Sequence, residues 1–459
     1  MNVLILGAGR VGLGVARHLI NRDADVTVVE KSSETVSGVK NSSNINIIRG
    51  DALDADVLRA ANAESAACLV AVMSRDEQNI VACKLAESLF GTEMKIARMK
   101  SDCFAKNENS ETFLKDNFGV DVSVFPEAEV AARISEVASL KGVFDVIELG
   151  RLTIVGLKCK EDTEIINTAF KHFQSITDLN PFIMTVTRNG ETFFPEGEDM
   201  LLPGDDAYFA ADSAVLDEIL PLFGYSPTSE AQNFLIAGGG NVGTLLLKAI
   251  AAKNQRHSIT LLEKSMETAE RTAQNHPDVT VISGDAADYN LLKNISSGID
   301  TAITVTENDE TNVLASLLLK QLGVKRGFTL AKSKNYEPLF LTDSGCSIVN
   351  PGTITVDTII KRSRRGKIIS RVPLKNSPSY VIKVEVTDSC TRLNETIESF
   401  REKNSLVPIF ILRNDKIIPA KKDLVAESGD RMLILVSEER VNFAEKIFSN
   451  SLLSDRNKF

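Results

Sequence analysis

The sequence predicts an α/β protein in which a parallel-sheet domain and a small α+β module occur twice in tandem. Two apolar runs each lead directly into G-x-G-x-x-G, a pattern typical of a strand that turns into a helix at a phosphate site. Short apolar runs then alternate with amphipathic stretches, as in a parallel sheet covered by helices. The first glycines of the two patterns, Gly7 and Gly238, lie 231 residues apart, which indicates an internal duplication.

The composition is that of a folded protein with several domains. The chain has 459 residues, 43% of them hydrophobic and 25% charged, which predicts three or four domains. Its net charge of -10 argues against nucleic-acid binding as a main function. The six cysteines show no C-x-x-C spacing, which indicates reduced thiols and no metal site. No apolar run reaches the roughly 18 residues of a membrane span, and the N-terminus lacks the features of a secretion signal. We therefore expect a cytosolic protein.

Each glycine of the repeated pattern has a mechanical reason. The first allows a sharp turn out of a buried strand, and the second lacks the Cβ that would block a pyrophosphate. The third lets the following helix pack closely, so that its N-terminal N–H groups face the phosphates. The two sets are Gly7, Gly9, Gly12 and Gly238, Gly240, Gly243. Two copies in the same context predict dinucleotide binding more strongly than one copy would.

The first 140 residues follow the order of a Rossmann domain. We predict strands at 3–6, 26–29, 45–48, 67–72, 95–99 and 122–125, with helices at 11–20 and 80–90. Continuous apolar strands of this length predict a parallel sheet that is buried on both faces. The same order begins again at Asn233, so we place the two Rossmann domains at residues 1–140 and 232–360.

Glu30 ends the second predicted strand of the first copy, and Glu263 ends that strand in the second copy. A carboxylate at this place can accept hydrogen bonds from both ribose hydroxyls of an adenosine nucleotide. Its charge would repel a 2′-phosphate, so NAD(H) or another nucleotide without that phosphate is favoured over NADP(H). A solvated glutamate at the end of a strand is the alternative interpretation.

A different pattern follows each Rossmann domain. Residues 141–226 are predicted to hold strands at 152–157, 182–188 and 207–210, and a helix near 163–173. Residues 367–450 repeat this order, with strands at 380–386 and 407–413 and a helix at 392–402. The turn that contains Gly204 and Asp205 returns as Gly429 and Asp430. These features predict two small α+β modules.

Two further features have a simple structural interpretation. Residues 361–367 form a basic run, which is usually a solvated helix end or linker, with contact to an acidic partner or lipid headgroup as the alternative. Asp76 with Asn79, and Asp309 with Asn312, open a predicted helix in each copy. Such side chains most simply cap the helix by accepting hydrogen bonds from its free N–H groups. A role in signalling between domains is the alternative.

Taken together, these motifs resemble the duplicated RCK proteins, in which a KTN (RCK N-terminal) domain precedes an RCK C-terminal module. The resemblance covers residues 1 to about 449 and includes Gly50-Asp51-Ala52 with its copy Gly284-Asp285-Ala286. It implies a regulatory subunit of a Trk- or Ktr-type potassium uptake system, peripheral on the cytoplasmic face of the inner membrane. It also implies self-association into a homotetrameric ring whose shape responds to bound NAD(H), or to ATP and ADP.

The resemblance further implies which residues hold the nucleotides. In the first copy these are Gly7, Ala8, Gly9, Arg10, Val11, Gly12, Glu30, Asp51, Ala52, Met73, Ser74 and Arg98. In the second copy they are Gly238, Gly239, Gly240, Asn241, Val242, Gly243, Glu263, Asp285, Thr306 and Glu307.

The copies differ where Arg98 would offer a cation to the second half of the ligand. At an offset of 233 residues Arg98 falls on Ala331, and a slip of one residue would place Lys332 there. A guanidinium and an ammonium group are not equivalent toward phosphate. We therefore predict two unequal sites, of which the first is the better dinucleotide site.

An NAD-dependent oxidoreductase is the competing function. Hydride transfer needs an acid or base beside the nicotinamide, commonly His, Lys or Tyr. None of the four histidines follows a predicted strand where the nicotinamide would lie; they are His18, His172, His257 and His276. We therefore predict that the chain is not an enzyme. A stand-alone nucleotide sensor without a membrane partner remains a third function.

Overall fold

The computed structural model describes residues 2–20, 24–42, 45–100, 110–161, 163–173, 179, 181–227, 230–254, 256–340, 345–363, 368–374, 377, 379–387, 395–404, 406–414 and 416–448. These residues form two parallel sheets of six strands and two antiparallel sheets of five strands. The predicted fold class, with its tandem duplication, is confirmed. Within the described ranges, no helix has both the length and the apolar character needed to cross a bilayer.

The first parallel sheet has the strand order β3-β2-β1-β4-β5-β6. Its strands are β1 (Asn2–Leu6), β2 (Asp25–Glu30), β3 (Asn46–Arg49), β4 (Cys68–Ala71), β5 (Met94–Arg98) and β6 (Val122–Val124). The helices of this segment are α1 (Arg10–Ile20), α2 (Ser33–Ser42), α3 (Ala55–Ala60), α4 (Asp76–Phe90), α5 (Ser110–Phe118) and α6 (Pro126–Ala138). The direction of winding reverses between β1 and β4, which opens a crevice at the carboxyl ends of these strands.

The first module follows as an antiparallel sheet in the order β10-β9-β11-β8-β7. Its elements are β7 (Asp145–Leu149), β8 (Leu152–Lys158), β9 (Phe182–Arg188), β10 (Glu191–Phe193), β11 (Asp206–Asp212) and α7 (Leu216–Ile219). The predicted helix near residues 163–173 is wrong. Ile166 instead forms an isolated bridge with Leu201, and a short 3-10 turn spans Phe170–His172. Asn167 has a φ of +60°, a left-handed conformation that a right-handed helix does not contain.

The second parallel sheet repeats the first in the order β14-β13-β12-β15-β16-β17. Its strands are β12 (Asn233–Ala237), β13 (Ser258–Glu263), β14 (Thr280–Ser283), β15 (Thr301–Thr304), β16 (Arg326–Leu330) and β17 (Cys346–Val349). Its helices are α8 (Asn241–Lys253), α9 (Met266–Asn275), α10 (Tyr289–Ile295), α11 (Asp309–Gln321) and α12 (Pro351–Ser363).

The second module repeats the antiparallel sheet in the order β18-β19-β22-β20-β21. Its elements are β18 (Ile368–Pro373), β19 (Ser379–Glu385), β20 (Val407–Arg413), β21 (Lys416–Pro419), β22 (Arg431–Ser437), α13 (Ile397–Asn404) and α14 (Val441–Phe448). The start of the predicted helix at 392–402 lies outside the described residues. The two module sheets pack face to face in one apolar cluster, in which Phe182 meets Phe410 with ring centroids 5.9 Å apart.

The repeated Gly-Asp turn closes each module by the same ion pair. Both oxygens of the buried Asp205 accept from the guanidinium of Arg188, at 2.9 and 2.7 Å. Asp430 and Arg413 make the same bidentate contact, at 2.9 Å for both bonds. Bidentate pairs of this kind fix geometry as well as charge. The turn motif therefore has a structural role.

Each Rossmann unit exchanges one helix with the other, which the sequence did not predict. Helix α6 leaves the first sheet and packs against α8, where Val130 and Ile134 share a core cluster with Leu246 and Ile250. Helix α12 leaves the second sheet and packs against α1. The predicted boundary at residue 140 counts α6 with the first domain, whereas its apolar face belongs to the core of the second. We call α6 and α12 the crossover helices.

The basic run at 361–367 begins within α12. Arg362 donates to the carbonyl oxygen of Ser123 and to Glu129, each at 2.9 Å. The acidic partner of Arg362 therefore belongs to the same chain. Residues 364–367 lie outside the described part of the chain.

His257 gives the second Rossmann unit a pH-dependent contact. Its Nδ1 accepts the backbone N–H of Gln232 at 3.1 Å, and its ring packs on the edge of Phe234. Burial, with Arg256 nearby, lowers the pKa of His257 from its usual 6.5. The folded state thus binds fewer protons than the unfolded state just below pH 6.5, so this contribution to stability is complete above 6.5 and declines as the pH falls. We expect His257→Asn, which keeps an acceptor but does not titrate, to lose less stability than the native chain between pH 7 and pH 5 in urea unfolding. An equal loss in both proteins would contradict this assignment.

Candidate functional site

The three glycines of each loop meet different surroundings. Gly7 has a φ of +107°, and a Cβ on Gly12 would lie 1.9 Å from the carbonyl oxygen of Gly7. A Cβ on Gly9 would meet nothing within 4 Å. The fold itself therefore requires the first and third glycines, whereas the second faces open space at the start of α1. A pyrophosphate could occupy this space against the free N–H groups of the helix.

The second loop has the same geometry. Gly238 has a φ of +116°, and a Cβ on Gly243 would lie 1.9 Å from the carbonyl oxygen of Gly238. A Cβ on Gly240 would again meet nothing within 4 Å. We call the space beside Gly9 and the carboxyl ends of β1, β2, β4 and β5 the first crevice, and the equivalent space beside Gly240 the second crevice.

Glu30 holds the rim of the first crevice. Its Oε2 accepts the N–H of Ala8 and its Oε1 accepts the N–H of Ser32, both at 2.8 Å. Glu263 makes the same two bonds in the second crevice, to Gly239 at 2.6 Å and Ser265 at 2.8 Å. A carboxylate oxygen can accept a second hydrogen bond. Each glutamate is therefore fixed in position while it keeps the capacity to accept ribose hydroxyls.

A second carboxylate lies at the adenine side that the resemblance implies. Asp51 pairs with Lys31 at 2.9 Å, and Asp285 pairs with Lys264 at 2.8 Å. The hydrogen bond from the lysine, more than any other contact, lowers the pKa of each aspartate below its usual range. Both aspartates are thus ionised acceptors at neutral pH. The lysines were not predicted, although their repetition after Glu30 and Glu263 was a signal for them.

Buried asparagines tie the ends of neighbouring strands together at the crevices. Asn79 accepts the N–H of Met73 at 2.9 Å and donates to the carbonyl oxygen of Arg98 at 2.8 Å. Asn312 joins Thr306 to Leu330 by the same pattern. These bonds hold the segments after β4 and β5, or after β15 and β16, at a fixed separation.

The capping interpretation of these asparagines and their aspartates is wrong. Asp76 accepts the backbone N–H of Lys100 with both oxygens, and Asp309 accepts that of Lys332 at 2.8 Å. The N-cap positions belong instead to Arg75 and to Asn308, whose side chain accepts from Thr311. The Asp-x-x-Asn motif thus connects the ends of two strands. Its occurrence in both copies was the signal for a shared structural role.

The same bonds correct the predicted equivalence of Arg98. Asn79 donates to Arg98 where Asn312 donates to Leu330, and Asp76 contacts Lys100 where Asp309 contacts Lys332. The counterpart of Arg98 is therefore Leu330, neither Ala331 nor Lys332. The loops between β15 and β16 are one residue shorter than a constant offset assumes.

The two crevices consequently differ in charge. In the first, Nε of Arg98 is buried and has no hydrogen-bond partner among the described residues, and Arg10 begins α1. The second has Leu330 and Asn241 at these places, and the exposed Glu307 where the first has Ser74. The first crevice therefore has more positive charge to offer a phosphate.

The remaining predicted residues are placed as follows. The side chains of Ala8, Val11 and Ala52 lie in the core, so only their backbone groups can face the crevice. Val242 is partly buried against the second core. The guanidinium of Arg10 reaches out of its own Rossmann unit to the carbonyl oxygen of Lys332, at 3.5 Å.

Comparisons with known proteins agree with this architecture. The chain is 28% identical over 456 residues to the Trk system potassium uptake protein TrkA of Azorhizobium caulinodans, covering 98% of this chain and 99% of that protein. The protein of the same name from Haemophilus influenzae is 27% identical over 464 residues, again covering 98% and 99%.

A solved structure of the GsuK channel bound to NAD covers 97% of this chain and 78% of its own, with a TM-score of 0.59 and 18% identity. The structure of the GsuK RCK domain has a TM-score of 0.58 and 17% identity, and covers 97% of this chain and 94% of its own. These two likenesses show the fold. The TrkA-N domain model matches residues 3–126 and 234–351, and the resemblance inferred from the motifs is confirmed. The chain therefore belongs to the TrkA-N domain family and carries that domain twice.

Proposed function

We propose that this chain is the nucleotide-binding regulatory subunit of a Trk-type potassium uptake system. The observation that carries the proposal is the pair of crevices, each with an open second glycine and a fixed rim carboxylate. The near full-length likeness to proteins named for the Trk system supports the choice of partner. We place the protein on the cytoplasmic face of the inner membrane, against the potassium-translocating subunit.

We propose NAD(H) as the ligand of the first crevice, with ATP or ADP as competitors. The open space at Gly9 suits a pyrophosphate, Glu30 suits a ribose, and Asp51 can accept from the adenine amino group. The Nε of Arg98 is buried, has no hydrogen-bond partner among the described residues, and can turn to the second half of the ligand. Because Asn79 holds the segments on either side, the pocket is largely pre-formed.

The crossover helices offer a mechanical route from nucleotide to pore. Helix α1 begins at the first glycine loop and packs against α12, which belongs in sequence to the other Rossmann unit. A ligand that shifts the start of α1 would therefore change the relative orientation of the two units. Gating requires that the ligand bind two such orientations with different affinity, since equal affinity shifts no equilibrium.

We propose that copies of the chain assemble into a homotetrameric ring through α4 and α11. Val81 on α4 and Leu314 on α11 are both 45% exposed, although they are apolar and occupy the same place in the two copies. The same two Rossmann units hold further exposed apolar side chains: Leu89, Phe113, Leu317 and Leu339. Exposed apolar patches of this kind mark interaction surfaces. A face repeated in each half suits a closed ring of like contacts.

The deciding experiment is potassium flux through the pore subunit co-reconstituted with this chain. NAD+, NADH, ATP and ADP are added in turn, with and without the chain. We expect flux to depend on the nucleotide only when the chain is present. Flux that is indifferent to all four ligands, despite measured binding, would remove the regulatory function. Conversion of NADH to NAD+ in the presence of a metabolite would favour the oxidoreductase.

Arg98→Leu should make the first crevice resemble the second. We expect it to weaken NADH binding about tenfold, because a charge-assisted contact to the ligand is lost. Adenosine should bind as before, since Glu30 and Asp51 are unchanged. Isothermal titration of both ligands measures this difference. An equal loss for adenosine and NADH would show that Arg98 acts on the fold of the pocket instead.

A further inference from the structure

Each crossover helix packs on the first helix of the other unit, and the two contacts differ in which helix carries the larger side chain. In α1, Gly14 faces α12, and a Cβ built on Gly14 would lie 2.8 Å from Cγ2 of Val356. This distance is shorter than real contacts allow, so the close approach depends on the missing side chain. A small residue on α1 thus receives a larger residue from α12.

The equivalent contact in the other unit has the sizes reversed. The spacing from Gly12 to Gly243 makes Leu245 of α8 the counterpart of Gly14. Pro126 and Pro351 open the crossover helices, so Ala131 of α6 is the counterpart of Val356. Leu245 packs against the core cluster that contains the buried Ala131. In this unit the receiving helix therefore carries the large residue at the equivalent place and the crossover helix carries the small one.

A buried arginine holds the end of α6 and has no counterpart in the first unit. Arg326 is 8% exposed and donates to the carbonyl oxygens of Val137 and Ala138 at the end of α6, at 2.6 and 3.3 Å. It also donates to Leu140 and Val143, at 2.5 and 2.8 Å. These carbonyls carry the negative end of the helix dipole. The strand register places Met94 at the equivalent position of the first unit.

The ion pair that holds α12 is also not repeated at the equivalent residues of the other unit. Arg362 pairs with Glu129 of α6 at 2.9 Å, and Thr358 donates to the same carboxylate at 3.4 Å. The counterpart of Glu129 in α12 is Ile354. Two copies of α12 packed side by side would therefore leave Arg362 without this partner.

We propose that the unlike halves of this chain are shaped to fit each other, so that like halves of two copies cannot exchange their crossover helices. If like halves paired, Val356 would meet Leu245 with too much volume, and Ala131 would leave space over Gly14. Excess volume and empty space both lower the stability of a protein core.

The size match is tested in the full chain by compensation. We expect Gly14→Leu to lower the apparent melting temperature by roughly 5 °C or more, and the added substitution Val356→Ala to restore at least half of that loss. Gly38→Leu is the matched control, since Gly38 is a glycine in α2 with open space around its Cβ, and it should cause no loss. A double variant no more stable than Gly14→Leu alone would overturn the contact.

The pairing itself is tested by a disulfide reporter. A Cβ at Gly14 lies 3.9 Å from Cβ of Val356, within the range of disulfides, so G14C/V356C should oxidise within one chain. The other cysteines described are buried, and Cys103 and Cys390 are replaced by serine. We expect a nearly complete crosslink that migrates as a single chain on a non-reducing gel.

Adding A131V/L245G to the reporter makes the second contact like the first, with a small residue on the receiving helix and a large one on the crossover helix. We expect the crosslink then to become incomplete and a part of the protein to appear as species of two chains or more. If crosslink and mass stay unchanged, the covalent tether between the halves, and not their shape, selects the pairing, and the proposal is overturned. An incomplete crosslink in the unmodified reporter would overturn it as well.

Discussion

Gly9→Asp is expected to abolish nucleotide binding at the first crevice without lowering the stability of the fold. A Cβ on Gly9 meets nothing within 4 Å, so the aspartate has room. Its carboxylate would occupy the space at the start of α1 that we assign to the pyrophosphate, and like charges repel there. We expect NADH affinity at this crevice to fall at least a hundredfold, about 2.7 kcal/mol.

Isothermal titration and thermal unfolding of the same preparations measure both parts of this expectation. Gly240→Asp is the matched control, because Gly240 has equally open surroundings in the second crevice. We expect it to leave the stronger binding event intact and to remove only the weaker one. The same affinity and ligand preference in both variants would contradict the inequality of the crevices. A lowered melting temperature in both would show that the loops need these glycines for folding.

Arg326→Met is expected to cause the largest loss of stability among single substitutions in the crossover interface. Burial lowers the pKa of Arg326 to about 10, so the side chain is still a cation at neutral pH. Methionine at this position would resemble Met94 of the first unit, yet it removes the buried guanidinium that donates to four carbonyl oxygens in the core. Leaving a buried acceptor without its donor costs about 1 to 3 kcal/mol.

Urea unfolding followed at several wavelengths measures the loss, since a chain with several domains need not unfold in one step. Arg59→Met is the matched control: Arg59 pairs with Asp56 at the surface, where such a contact is worth about 0 to 1 kcal/mol. We expect Arg326→Met to shift the first unfolding transition to a lower urea concentration and Arg59→Met to leave it unchanged. Equal effects of the two substitutions would show that the carbonyls find other partners.

The sequence predicted the strands of the first parallel sheet to within two residues, because continuous apolar runs beside glycine loops are a local signal. It failed at residues 163–173, where an apparent helical pattern belongs to a segment that bridges to Leu201. Nothing in the spacing of apolar residues reveals such a long-range partner. The capping interpretation of Asp76 failed for the same reason, since its partner Lys100 lies in the segment after β5.

The sequence likewise predicted only some of the equivalent residues of the two crevices correctly. Glu30 and Glu263 were matched correctly because each is the last residue of a strand, at a distance from the glycines that loops barely change. Arg98 was matched to the wrong residue because a one-residue difference in the preceding loop shifts a constant offset. The hydrogen bonds of Asn79 and Asn312 resolve that shift, as they contact Arg98 and Leu330 at the same place in space.

The amino-acid sequence by itself determined the duplicated α/β order, the glycine loops and the rim carboxylates, because each depends on residues close together along the chain. Tertiary structure alone decided which unit receives α6 and α12, and that Arg326 closes the end of α6. Those outcomes depend on which apolar faces fit and which carbonyls remain unpaired once the sheets have formed. The contact of Gly14 with Val356 and the bonds of Arg326 to the end of α6 are examples, since in each the partners lie far apart along the chain.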